Sequence, residues 1–109
     1  MKSDARLLAY KIIHQFNHDK KLDVILDDVF RAARPDNKTK SRARVLVYEI
    51  IRLKGRLDLM IMWISGKTFK QIQKPIISIL RIGFYEIMMD DSIPDYAAVN
   101  SSVNLTRNI

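Results

Sequence analysis

Gly66-Lys67-Thr68 has the ending of a phosphate-binding loop, in which backbone amides and a lysine cradle phosphate oxygens. That motif needs a second glycine five positions before Gly66 and a strand ahead of it. The position holds Ile61 within an apolar run, so no such loop is read. His14 and His18 are four apart and can share a helix face. A zinc site needs further ligands, however, and the protease version places Glu after the first His, where Gln15 stands. The pair reads as solvated imidazoles near a helix end. Asp27-Asp28 and Asp90-Asp91 are adjacent, so on a helix their carboxylates diverge and cannot serve one reacting centre. No base or oxyanion hole is arranged around any serine. The absence of cysteine removes a thiolate nucleophile, a thiolate metal site and a disulfide framework together. No catalytic, metal-binding or cofactor-binding residue is therefore assigned.

What remains is charge. The formal net charge is +7, and its placement is one-sided: residues 1 to 56 carry 14 basic and 7 acidic side chains, residues 57 to 109 five of each. The excess concentrates in Arg31, Arg34, Lys38, Lys40, Arg42, Arg44, Arg52, Lys54 and Arg56, opposed only by Asp36 and Glu49. A solvated helix start is the ordinary reading of such a run. A localised positive field also suits a polyanion. Arg42 and Arg44 flank the apolar stripe of the helix described below, and Arg52 points out from it, so the core uses none of them. Lys38 and Lys40 precede them on an expected mobile loop. Lys2, Arg6 and Lys11 in the first helix are further phosphate-contact candidates. The expected RNA-binding set is Lys2, Arg6, Lys38, Lys40, Arg42, Arg44, Arg52 and Arg56. Five contacts to single-stranded RNA, at about 0.7 in salt slope per contact, weaken binding roughly 100-fold between 50 and 200 mM salt.

One apolar template must position these residues, with members at i, i+3, i+4, i+7, i+8 and i+11 on one face of a helix. Its copies are Ala5, Leu8, Ala9, Ile12, Ile13, Phe16, then Leu22, Ile25, Leu26, Val29, Phe30, Ala33. A third is Ala43, Leu46, Val47, Ile50, Ile51, closed by Lys54, and a fourth is Ile76, Ile79, Leu80, Gly83, Phe84, Ile87. Ser3 is the expected N-cap of the first copy, Gly55 the stop of the third, and Pro75 lies at the start of the fourth. Val45 and Tyr48, opposite the third stripe, suggest a helix touching two layers. Leu57 to Ile64 is apolar nearly all round, which predicts burial. Asp90 to Asp95 makes a break, after which Asp95 caps a last helix from Tyr96 to about Arg107. No segment alternates with period two, so no sheet is expected. The reading is an all-α bundle of five to six helices.

At 109 residues, with 48% apolar and 28% charged side chains, the chain fits one domain, residues 1–109, able to bury roughly two-thirds of its unfolded surface. The N-terminus lacks an apolar signal region and no run approaches the roughly 20 residues that span a bilayer, so no membrane partner is expected. A cytoplasmic location is the expectation.

The run from Ser41 to Arg52, SRARVLVYEIIR, followed by Arg56-Leu57-Asp58, resembles the "LVYGVLR … LD" stretch of the N-terminal domain of RsmB-type (Sun, Fmu) 16S ribosomal RNA cytosine-5 methyltransferases. Leu80-Arg81-Ile82-Gly83-Phe84-Tyr85-Glu86-Ile87, then Ile93-Pro94 and Ala97-Ala98-Val99-Asn100 with Val103 and Leu105, is similar to the "LRxGxYEL … IPxxAAVNEAVEL" signature that those domains share with the antitermination factor NusB. The two stretches cover most of residues 41 to 107. Glu49 stands where the family usually has Gly, and Ser101 and Asn104 replace two glutamates. The first departure bears on a close helix approach, the second on a partner surface.

The resemblance implies a NusB-like all-α fold and an RNA-binding role, with RNA, ribosomal RNA in the first instance, as partner. Relatives continue into a further helix resembling "FVNAVLR", and the methyltransferases then add a domain with catalytic cysteines. The chain is thus expected to be an N-terminal fragment without that last helix. It carries no catalysis and no cofactor itself, and a C-terminal methyltransferase domain is the expected partner in the parent chain. A free-standing antitermination factor that binds the ribosomal protein NusE, and a helical protein-interaction domain, are the alternatives. An apolar stripe bared by the missing helix would favour self-association.

Overall fold

In the computed structural model, which describes residues 4–16 and 20–89, the first helix starts at Asp4. Asp4 is extended, and its carboxylate accepts the Leu7 amide at 2.7 Å, satisfying one donor of the opening turn. The cap is therefore Asp4 rather than the expected Ser3, which lies outside the described residues. Helix α1 spans Ala5–Gln15 and α2 spans Leu22–Ala33. Next come α3, Asn37–Arg52, and α4, Lys54–Ser65. A 3-10 turn, Phe69–Gln71, then precedes α5, Lys74–Met89. No strand occurs among the described residues, and the fold is all-α as expected. The proposed break at 90–95 and helix at 96–107 lie outside the described residues. No described helix is long and apolar enough to cross a membrane.

The chain divides into two compact units, Met1–Glu49 and Ile50–Ile109. In the first, α1 packs on α2. Most of the stripes expected there are buried, Ala5, Leu8, Ala9, Ile12 and Ile13 on α1 and Ile25, Leu26, Val29 and Phe30 on α2, whereas Leu22 and Ala33 are half-buried and Tyr10, outside the expected stripe, is buried. Phe16 is half-buried just past α1, where its amide donates to the Ile12 and Ile13 carbonyls. Ala43, Leu46 and Val47 of α3 are buried, but Val45 and Tyr48 are exposed. The expectation that they touch a second layer fails; the Tyr48 hydroxyl instead donates to Asp23 on α2 at 3.0 Å.

Three helix boundaries differ from the sequence reading, each for a local reason. Asp36 accepts the Thr39 amide at 2.7 Å through its carboxylate and the Lys40 amide at 2.9 Å through its carbonyl, so α3 begins at Asn37. Lys38 and Lys40 are consequently helical, not on a mobile loop. The break between α3 and α4 is a single residue, Leu53, and Gly55 sits in the first turn of α4 rather than stopping α3. Gly66 is the glycine that does stop a helix: at φ 67 it occupies the left-handed region, and its amide donates to the Met62 carbonyl at 2.9 Å. Lys67-Thr68 then leads into the 3-10 turn, where the Thr68 amide donates to Gln71 Oε1 at 2.9 Å. Gly66-Lys67-Thr68 is a helix stop and a capped turn.

In the second unit α4 packs on α5. Arg81 on α5 grips Asp58 on α4 with two bonds, Nε to Oδ1 at 2.7 Å and a second guanidinium nitrogen to Oδ2 at 3.1 Å. The same guanidinium lies 5.6 Å over the Phe69 ring. Asp58 and Arg81 belong to the two stretches that carry the family resemblance, and this forked pair joins those stretches in space. The α5 stripe is rotated from its expected place. Ser78, Ile79, Ile82, Tyr85 and Glu86 are buried, with Ile77, whereas Ile76, Leu80 and Phe84 are only half-buried and Ile87 is exposed. The expected burial of 57–64 also fails in most of its length. Leu57 and Ile61, one turn apart, are buried, but Leu59, Trp63 and Ile64 are exposed.

Candidate nucleic-acid interface

The basic side chains of the first unit are organised around one ring. Phe30, buried near the end of α2, presents its face to two cations from α3: Lys40 Nζ lies 5.6 Å and Arg44 Cζ 5.8 Å from the centroid. Residues 40 and 44 are one turn apart and reach the ring together. A ring face attracts a cation without using up its N–H groups. The ammonium and guanidinium thus keep donors for another acceptor. Beside them Phe30, Arg31, Arg34, Pro35, Asn37 and Lys40 line an open depression, with Asp27 as its acid.

Exposed acids, Asp27 in the depression among them, stand beside this basic edge and offset part of its charge. Arg31 approaches Asp28 only to 3.9 Å, with both side chains well exposed, and such a pair is screened and weak. Asp36 caps α3 and Asp23 accepts from Tyr48, and both carboxylates keep their negative charge. The Tyr48 hydroxyl is held above its usual deprotonation range, first by that bond and then by burial and the carboxylate's charge; burial alone raises Tyr10.

Helix α3 carries these cations at an energetic disadvantage. Its first turn contains Lys38 and Lys40 and no acid, although the positive end of a helix dipole favours acids there. Lys38 and Arg42, like Lys40 and Arg44, stand four apart as like charges, each pair costing a few tenths of a kcal/mol. Lys38 and Arg42 are exposed, on another side of the helix from the Phe30 pair.

Of the expected RNA-binding residues, Lys40 and Arg44 are thus brought together, and Lys38 and Arg42 share their helix. Arg6 is half-buried on α1 and already engaged in an interaction, as is exposed Arg52. Arg52 and Arg56 belong to the second unit, where Arg56 is exposed. Lys2 lies outside the described residues. Arg31 and Arg34 belong to the charge run but not to the expected set. Phe30 belongs to the apolar stripe of α2, and a cation-rich helix start soon after a helix-ending aromatic is the signal that marks its second role.

Nothing in this arrangement resembles a reaction centre. Among the described residues no group of three His, Asp or Glu side chains gathers as a metal set. His14 stacks on Tyr10, with ring centroids 5.5 Å apart, and His18 lies outside the described residues.

The family model described as "NusB family" matches residues 3–109. The chain belongs to the NusB family. Its similarity to individual NusB-family and methyltransferase sequences is distant. It is 40% identical over 43 residues to the transcription antitermination protein NusB of Lacticaseibacillus paracasei, covering 39% of this chain and 32% of that protein. The protein of the same description from Lacticaseibacillus casei is 37% identical over 43 residues, with the same coverage of both chains. A probable ribosomal RNA small subunit methyltransferase B of Synechocystis sp. is 27% identical over 104 residues, 94% of this chain and 23% of that protein. The matched segment is therefore less than a third of each curated relative. No solved structure matches the chain at a significant level.

Proposed function

We propose that this NusB-family chain is an RNA-binding module whose first unit contacts phosphates through Lys40 and Arg44 on Phe30, with Lys38, Arg42, Arg31 and Arg34 around them. The observation that carries the reading is the pair of cations ordered on one ring while their donors stay available. The ring lowers the entropy cost of holding long side chains in place, and phosphate oxygens match both donor sets. In biological setting, a NusB-like antitermination factor is the first reading, supported by the two antitermination proteins among the relatives. Binding to the ribosomal protein NusE belongs to that reading. An N-terminal RNA-binding domain of a ribosomal RNA methyltransferase is the second, favoured by one observation: the methyltransferase match runs along 94% of this chain. In that setting methyl transfer belongs to a C-terminal domain.

Titration of a short ribosomal RNA hairpin at 50 and 200 mM salt tests the binding role. Charge reversal of Lys40, Arg42 and Arg44 to Glu is expected to weaken binding by at least 100-fold at the lower salt. Tight binding by the triple variant rejects this surface. Retention of the chain by immobilised NusE separates the antitermination setting from the methyltransferase one.

A further inference from the structure

Trp63 is 84% exposed on α4, the most exposed of the large apolar side chains described. Its position is not an accident of a frayed end, because α4 runs on to Ser65 and is stopped by Gly66. Arg56, Leu59 and Trp63, spaced i, i+3 and i+7, form one stripe that faces away from the buried Leu57 and Ile61. Leu59 is 66% exposed beside the indole. Leaving such a stripe in water forgoes burial, so a ligand that covers it is expected.

Charge identifies the kind of ligand. Among the described residues of this unit, Arg52, Lys54, Arg56, Lys67, Lys70 and Lys74 are exposed cations. Both described carboxylates are withdrawn: Asp58 is 16% exposed and held by Arg81, and Glu86 is 1% exposed. Every described exposed charge of the unit is therefore positive. These described cations attract a polyanion, and a second copy of the chain is the alternative occupant that the test below separates. An exposed indole on the same helix stripe as an exposed arginine suits single-stranded nucleic acid, with a base stacking and a phosphate pairing. A duplex offers no free base face to a side chain standing on a convex helix.

We infer that the outward stripe of α4 is a second RNA contact, in which Trp63 stacks on an unpaired base, Leu59 covers the base edge and Arg56 meets a neighbouring phosphate. This inference rests on the RNA-binding reading above and extends it to a surface outside the Phe30 cluster, with a preference for unpaired RNA.

Trp63 is the chain's sole tryptophan, so its emission reports this face directly. The full chain titrated with oligouridylate is expected to show saturable quenching that follows the isotherm from labelled-RNA anisotropy. The same strand annealed to oligoadenylate should quench far less. Trp63→Ala should bind oligouridylate about 10-fold more weakly, and Trp63→Phe, which keeps a ring, should recover most of that loss. Circular dichroism should be unchanged in both, as the side chain is exposed. Saturating RNA binding with unaltered emission, or full affinity in Trp63→Ala, overturns the inference and leaves the Phe30 surface standing. Loss of self-association or of NusE binding in Trp63→Ala at unchanged RNA affinity assigns the stripe to a protein and also overturns it. Failure of the wild-type chain to bind RNA at low salt overturns both readings.

Discussion

Arg34 closes α2 in the left-handed region at φ 49, its amide donating to the Phe30 carbonyl at 2.9 Å. A side chain there meets its own backbone, which is why glycine usually fills the position. Arg34→Gly is therefore expected to raise stability by about 0.5–1 kcal/mol in urea denaturation, the relief of strain being partly offset by glycine's greater unfolded entropy. If Arg34 belongs to the RNA surface, the stabilised variant should bind less well. Asp58 and Arg81 give the opposite case. Both are mostly buried, so Asp58→Ala strands a guanidinium and should cost about 2 kcal/mol. A double-mutant cycle with Arg81→Met should return part of that loss as coupling. Alkaline titration reads the tyrosines. Because the folded state holds the hydroxyls of Tyr10 and Tyr48 above the ordinary value of 10.0, their contribution is complete below that pH and is lost as pH rises through the raised values. Tyr48→Phe should remove one late-ionising phenol from the absorbance titration at 295 nm, roughly the tyrosinate band.

Helix α3 depends on Asp36 for its first turn, and that turn carries Lys38 and Lys40. Asp36→Ala should cost about 1 kcal/mol, and fraying there should loosen Lys40 from Phe30. The expected readout is weaker RNA binding together with faster amide exchange at Thr39 and Lys40. The capping role was available in the sequence, since an aspartate after Pro35 and before a helical stretch is a start signal, but the run of polar residues read as a loop. Where one face alone is apolar, as on α1 and α2, periodicity located most of the core, missing Tyr10 and reaching too far to Leu22 and Ala33. On α4 and α5 it did not. Leu57 to Ile64 is apolar at every position other than Asp58, so nothing in it marks Leu57 and Ile61 as the buried pair. On α5 several stripes fit equally well, and the buried one includes Ser78 and Glu86, which no apolar template selects. Both polar side chains hold an interaction. The charge cluster was legible as composition, whereas the Phe30 partnership depends on how the turn at Arg34 and Pro35 aims one helix at another. Trp63 was hidden by the same ambiguity that misplaced the α4 core.

At the scale of the whole chain, the two basic surfaces make separable contributions to how binding responds to salt. Each phosphate contact to a single strand releases condensed counterions and adds about 0.7 to the slope of log affinity against log salt, regardless of the base contacted. Stacking on Trp63 adds affinity without slope, because it neutralises no phosphate. Neutralising Lys40, Arg42 and Arg44 to Ala should therefore lower the slope for oligouridylate by about 2, and neutralising Lys54, Arg56 and Lys67 should do the same if the second unit engages the strand. Trp63→Ala should instead shift the line down in parallel. Anisotropy titrations from 50 to 200 mM salt on the three variants distinguish these cases. A lowered slope for the first set alone confines phosphate contacts to the Phe30 surface. An unchanged slope in both sets would mean that the exposed cations are ordinary solvated charge, leaving the NusB-family fold without the RNA surface argued for it.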